Sequence, residues 1–143
     1  MADNELLSVL DLGVNLADVE APPLLPIGPY ASEVRGVTEK TSGTSGNEYY
    51  SVEVVIPPDQ FPPDFPDDVY PDGCTLYYNR VVKPKTRRQL HNVKLFMQAL
   101  GLDLNTTALD PNTWIGRPLK SIIRHSKFND VEREEIASVE AVD

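Results

Sequence analysis

The stretch KTRRQLHNVKLFMQALG, residues 85–101, decides how the rest of the chain is read. Leu90, Val93, Phe96, Met97 and Leu100 recur at offsets of three, six, seven and ten residues, the spacing of one apolar helical face. Pro84 precedes the run, Thr86 stands where an N-cap belongs, and Gly101 can close the last turn. The spacing therefore predicts one helix, and the sequence on both sides of it has the period of strands.

Upstream, CTLYYNRVV at residues 74–82 reads as the strand that feeds the helix, introduced by the Asp72-Gly73 turn. Before it, EYYSVEVVI at residues 48–56 aligns Tyr50, Val52, Val54 and Ile56 on one face. The segment from Tyr30 places Tyr30, Ser32, Val34, Gly36 and Thr38 on one side of a first strand. TSGTSGN at residues 41–47 joins the two as a hairpin connection. Downstream, Asn105, Thr106, Thr107 and Asp110-Pro111 carry turn chemistry, and PLKSIIRHSKF and EREEIASVEAVD read as two closing strands. The expected fold is mainly β with one principal α-helix. Three strands, a helix and two strands form the order of an OB-like five-stranded antiparallel barrel with its helix between strands 3 and 4.

Two segments stand outside this pattern. Residues 1–29 end in Pro22, Pro23, Pro26 and Pro29 and read as an extended N-terminal arm, with one or two helical turns available at Leu6, Leu7, Val9 and Leu10. Residues 57–73 hold six prolines and five aspartates, which forbids an interior strand. They form a loop within the single domain 30–143, and Phe61, Phe65, Val69 and Tyr70 give it apolar anchors for packing as an ordered flap.

The net charge is −9, but it is unevenly laid out: −12 over residues 1–79, +8 over 80–127 and −5 over 128–143. Such asymmetry is the footprint of a charged face. A single cysteine, Cys74, excludes an internal disulfide and suits a reducing compartment. The start has no signal-like h-region and no stretch is long and apolar enough to span a bilayer, so a cytoplasmic protein with no membrane partner is expected.

Catalytic patterns do not emerge. His91 and His125 are 34 residues apart without metal-ligand spacing and read as ordinary surface histidines. Asp64, Asp67, Asp68 and Asp72 lack the glycine and glutamate grammar of a calcium loop, and SGTSG at residues 42–46 lacks the GK[ST] ending of a phosphate loop. No enzyme, metal or cofactor is expected. Residues 77–94, by contrast, mix rings with cations, the combination that single-stranded nucleic acid requires: cations meet phosphates and aromatic faces stack on bases. Arg80, Lys83, Lys85, Arg87, Arg88, Lys120 and Arg124 are the candidate cations, with Tyr49 and Tyr78 as stacking candidates. Strand alternation sends one tyrosine of each adjacent pair outward and the other into the core. About five neutralised phosphates would give a salt slope near −3.5.

LPIGPY, KTSGTSGNEYYSVEVVI, NVKLFMQALGL, LDPNTWIGRPLKSIIRH and FNDVEREEIASV, spread over roughly residues 26–142, resemble in order and content a group of small bacteriophage OB-fold single-stranded-DNA-binding proteins. The resemblance implies a non-enzymatic, largely sequence-independent single-stranded-DNA binder that supports phage DNA replication or recombination in the host cytoplasm. A homo-oligomer and phage or host replication proteins are further partners to expect. Two features depart from the family: the acidic proline-rich insertion, and a C-terminus that reads as a strand and lacks a flexible acidic tip. The alternative is a phage virion or assembly protein, a decoration or connector subunit, acting through its arm and flap.

Overall fold

The alternating segments form five strands, β1 (Gly28–Thr41), β2 (Glu48–Ile56), β3 (Cys74–Val82), β4 (Pro118–Phe128) and β5 (Val131–Glu140), with helix α1 (Arg87–Ala99) between β3 and β4. The structure is a computed structural model that describes residues 6–142. Residues 1–5 of the expected arm, and Asp143 at the end of the expected last strand, lie outside the described residues. Every pairing is antiparallel and the sheet order is β3-β2-β1-β4-β5.

Helix α1 starts and stops where its sequence directs. The Thr86 hydroxyl accepts from the Gln89 amide at 3.2 Å, and Gly101, at φ 73°, turns the chain so that the Leu102 amide reaches the Met97 carbonyl at 3.1 Å. Val93, Phe96 and Met97 are buried. Leu90, expected on the same buried face, is exposed and lines an open groove between α1 and residues 104–109. The core centres on Trp114, which lies edge-on to Tyr50 (5.3 Å, 80°) and Phe96 (5.0 Å, 71°), while Phe96 stacks on Tyr78 (5.9 Å, 12°). After Trp114, Gly116 at φ 86° sends the chain back onto β1, donating to the Val34 carbonyl at 2.8 Å.

Bulges correct the expected alternation at three places. Arg35 is an extra residue between the pairs Val34–Val54 and Gly36–Glu53, so Val37, and not Gly36 or Thr38, continues the inward face of β1. On β3, Asn79 and Arg80 together oppose Ser51, whose hydroxyl donates to Asn79 Oδ1 at 2.6 Å. Ala137 is the extra residue of β5. The last two bulges sit on the two edge strands, and there the expected barrel does not close: β3 and β5 approach without a ladder. Arg80 spans the gap by donating to the Ala137 carbonyl at 3.1 Å. Both edges carry a bulge there, and a side chain, not a backbone ladder, bridges them.

The flap packs as expected. Phe65 is buried, and Phe61, Val69 and Tyr70 lie against the core. The helical turns available at Leu6–Leu10 are not formed; among the arm's described residues before β1 the one regular element is a 3-10 turn at Leu16–Asp18 capped by Asn15. The arm joins the body at Leu25, which is fully buried. Among the described residues no helix is long and apolar enough to cross a membrane.

Candidate functional site

The expected cations fall into separate groups. Arg80 and Arg124 share one carboxylate, Glu135: Arg124 binds it through two nitrogens at 3.1 and 3.2 Å, and Arg80 approaches to 3.8 Å. The Arg124 hydrogen bond holds the Glu135 carboxyl below its usual range and raises the Arg124 guanidinium. The three side chains together carry a single positive charge. Lys83 lies elsewhere, beside the β1–β2 hairpin, held by Glu39 and Glu48 at 3.2 Å each and 5.6 Å from the Tyr50 ring centre. Its hydrogen bonds, first to Glu39 and then to Glu48, raise its ammonium pKa.

Lys85, Arg87 and Arg88 are exposed at the entrance to α1, and Lys120 is half-buried on β4 between Ala31 and Glu140. The charged face expected from the sequence is thus divided, with three of its candidate cations held by carboxylates. Partner carboxylates on β1, β2 and β5, remote in sequence, take up Arg80, Lys83 and Arg124. The flap's aspartates are not the neutralising groups.

The tyrosine pairs divide as alternation requires, though one division differs from expectation. Tyr50 is buried and Tyr49 faces outward, opposite Lys40 and Val82. Tyr78, expected to stack on bases, points inward onto Phe96, and burial raises its phenol pKa. Its neighbour Tyr77 is the exposed ring, at 59%. Glu53 pairs with Tyr77 across the ladder, and Glu53 alternates in phase with Tyr49, so Tyr49 and Tyr77 occupy the same outer face. They are separated by about 13 Å, four residues of strand rise.

Across from Tyr77 stands the β4–β5 hairpin, which turns on Asn129 and Asp130, both at positive φ (50° and 64°). That turn leaves Phe128 62% exposed, with the Arg133 guanidinium 5.2 Å from its ring centre. Between β3 and this hairpin runs a groove of about 490 Å³ whose walls include Tyr77, Asn79, Lys127, Phe128 and Arg133. None of the flap's aspartates lines it, but Glu134 and Glu135 do, and Glu53 reaches the Tyr77 hydroxyl, which donates to it at 3.4 Å. The sequence reading passed over Phe128 and Arg133; the Asn129-Asp130 pair, a two-residue hairpin signal, could have located them at a tip.

A second polar cluster ties the arm and flap to β5. Glu134, buried, accepts the Leu25 amide at 2.9 Å and the Tyr70 hydroxyl at 2.8 Å. His125, expected to be an ordinary surface residue, is partly buried and donates through Nε2 to the Leu25 carbonyl at 2.6 Å. Alternation on β4 and β5 turns His125 and Glu134 inward together, as ladder partners. These bonds satisfy a buried carboxylate and the arm's backbone, a structural duty. Among the described residues no group of three or more histidine, cysteine, aspartate or glutamate side chains gathers as a metal site. The chain matches no model of a known protein family, and no curated protein matches it.

Proposed function

We propose that this chain is a non-enzymatic, sequence-tolerant single-stranded-DNA-binding protein of OB-like architecture. The observation that carries this reading is a pair of exposed rings, Tyr77 and Phe128, on opposite walls of one groove with Lys127 and Arg133 beside them. Rings stack on bases of any identity, and the cations meet the phosphates between them. Tyr49 extends the path along β2. The strand order, with β1 between β2 and β4 and with β3 and β5 brought together by Arg80, supports a partly open OB-type barrel. The sequence resemblance suggests phage DNA replication or recombination in the host cytoplasm as the setting.

Lys127 and Arg133 are the cations that line the groove, so about two phosphates are met, giving a log–log salt slope of about −1.4 where the sequence alone suggested a steeper one. Titration of labelled oligo-dT across a salt series tests this. Tyr77→Ala and Phe128→Ala should each weaken binding by about 1–3 kcal/mol. Glu135→Gln should tighten it and steepen the slope, since a carboxylate charge that lines the groove and offsets both guanidiniums is then removed. Absence of binding at low salt would remove the proposal.

One observation favours the alternative of a virion or assembly protein. The arm exposes a run of aliphatic side chains, which suits protein contacts. A large oligomer formed without DNA, together with no salt-sensitive DNA affinity, would decide for it.

A further inference from the structure

Helix α1 leaves an apolar groove uncovered, and it shares no lining residue with the Tyr77–Phe128 groove. It measures about 660 Å³ and runs between α1 and the loop 104–109, floored by Leu90, Val93, Met97 and Leu109. Leu90 is 59% exposed although it belongs to the helix's apolar face. The loop wall is held in shape by its own turns: the Asn105 amide donates to Asp103 Oδ1 at 2.9 Å, and the Ala108 amide to Thr106 Oγ1 at 3.1 Å. The rim is cationic. Lys94 lines the groove, Arg87 lies one turn before Leu90 on the same helix face, and Lys85 adjoins the lining residue Pro84; two acids, Asp103 and Asp110, flank the loop. Two arginines in the first turn also oppose the helix dipole, so nothing in the helix itself favours their placement.

The same chain carries a segment of complementary chemistry. Residues 6–23 expose Leu6, Leu7, Val9, Leu10, Leu12, Val14, Leu16 and Val19, with Leu7 at 91% and Val9 at 99%, and hold Asp11, Asp18 and Glu20 without a single lysine or arginine. Apolar surface of this extent on an acidic strap matches an apolar groove with a basic rim in both terms. The spacing of Leu6, Val9 and Leu10 is that of helix-in-groove anchors. The arm does not lie in its own groove: none of its residues lines that groove, and Leu6 to Leu16 stay exposed while it is anchored at Leu25 beside Glu134.

We infer that the arm of one copy docks in the α1 groove of a second copy. The contact is heterologous, arm to groove, so it leaves a free groove at one end and a free arm at the other and repeats into a chain of protomers. Such a chain can follow a polynucleotide bound in the separate Tyr77–Phe128 groove, though the contact itself requires no DNA.

The test is light scattering of the full chain without DNA, over a concentration series. The expected result is a mass rising above the 15.9 kDa monomer with concentration and falling back as salt is added. Leu7→Asp with Leu10→Asp in the arm, or Leu90→Glu in the groove, should each return the protein to monomer with unchanged far-ultraviolet circular dichroism. A mixture of the arm variant with the groove variant should form a dimer and stop there, since only one intact arm and one intact groove remain. A monomer at all concentrations, including one whose arm quenches a label in its own groove, overturns the inference. So does self-association that ignores both variants, or a mixture that stays monomeric. Oligo-dT binding by the monomeric variants separates this outcome from the fate of the DNA-binding proposal.

Discussion

The arm of residues 6–24 and the flap of residues 57–73 are written in similar terms and fold to opposite ends. Each carries prolines, acids and apolar side chains, and neither joins the sheet. The flap is nevertheless part of the body. Phe61 meets Phe65 at 5.3 Å, Phe65 stacks on Tyr70 at 6.1 Å, and the Tyr70 hydroxyl reaches Glu134. The arm's aliphatic side chains stay exposed from Leu6 to Val19, and the chain enters the body at Leu24 and Leu25. Two physical differences account for this. A ring buries more area than a leucine for a comparable loss of rotamer freedom, and a loop tethered at both ends has less chain entropy to lose than a segment tethered at one. Proline and acid content, the obvious shared feature, decides neither fate.

The comparison breaks most visibly at Phe65. If its ring is what holds the flap, Phe65→Ala should cost about 3–5 kcal/mol, read as a lowered urea midpoint. A cost below about 1 kcal/mol would mean that the flap rests on its proline geometry instead. Tyr70→Phe comes next. It keeps the ring stack and removes the hydroxyl that donates to Glu134, leaving that carboxylate the Leu25 amide, for a loss of about 1.5–3 kcal/mol in the same denaturation assay.

These bonds show where sequence reading stops. Helix α1, β2, β3 and β4 were legible because spacing and alternation are local properties of the chain, and the helix ends because their caps are adjacent residues. The flap's anchors were legible too, since large rings among prolines have few other uses. The site was less so. Whether Tyr77 or Tyr78 faces solvent depends on parity from Cys74, which is readable, but the direction of Arg80 depends on a bulge opposite Ser51 that no local pattern announces. The neutralisation of Arg124 and Lys83 depends on which carboxylates the ladder register brings alongside, Glu135 in one case and Glu39 and Glu48 in the other. Charge counts along the chain carry no information about register.

Alkaline titration sharpens the comparison from the flap's side. Burial, then the nearby Glu134 charge, pushes the Cys74 thiol up to about 12 from an ordinary 9.0, and burial, followed by the hydrogen bond to Glu134, raises the Tyr70 phenol. The folded protein thus keeps protons that the unfolded chain releases, and stability falls as pH rises through the unfolded values toward the folded ones. The Cys74 contribution alone should cost about 1 kcal/mol at pH 10 relative to pH 8. Cys74→Ala should flatten that part of a stability–pH curve. The arm holds no group of this kind, so its removal should leave the slope alone.

The smallest effect belongs to the arm, and its smallness is the point. Leu7→Asp and Leu10→Asp place charge where leucine is already open to water, at 91% and 78% exposure, so the stability of dilute monomer should move by less than about 0.5 kcal/mol. Leucines in the flap's position would not tolerate the same change. If calorimetry on dilute protein gave instead a loss above about 1 kcal/mol, the arm would be covering its own body, and the distinction between a segment anchored by rings and one left for a partner would fail. A shift confined to concentrated protein, absent on dilution, is the signature of apolar surface whose burial awaits a second molecule.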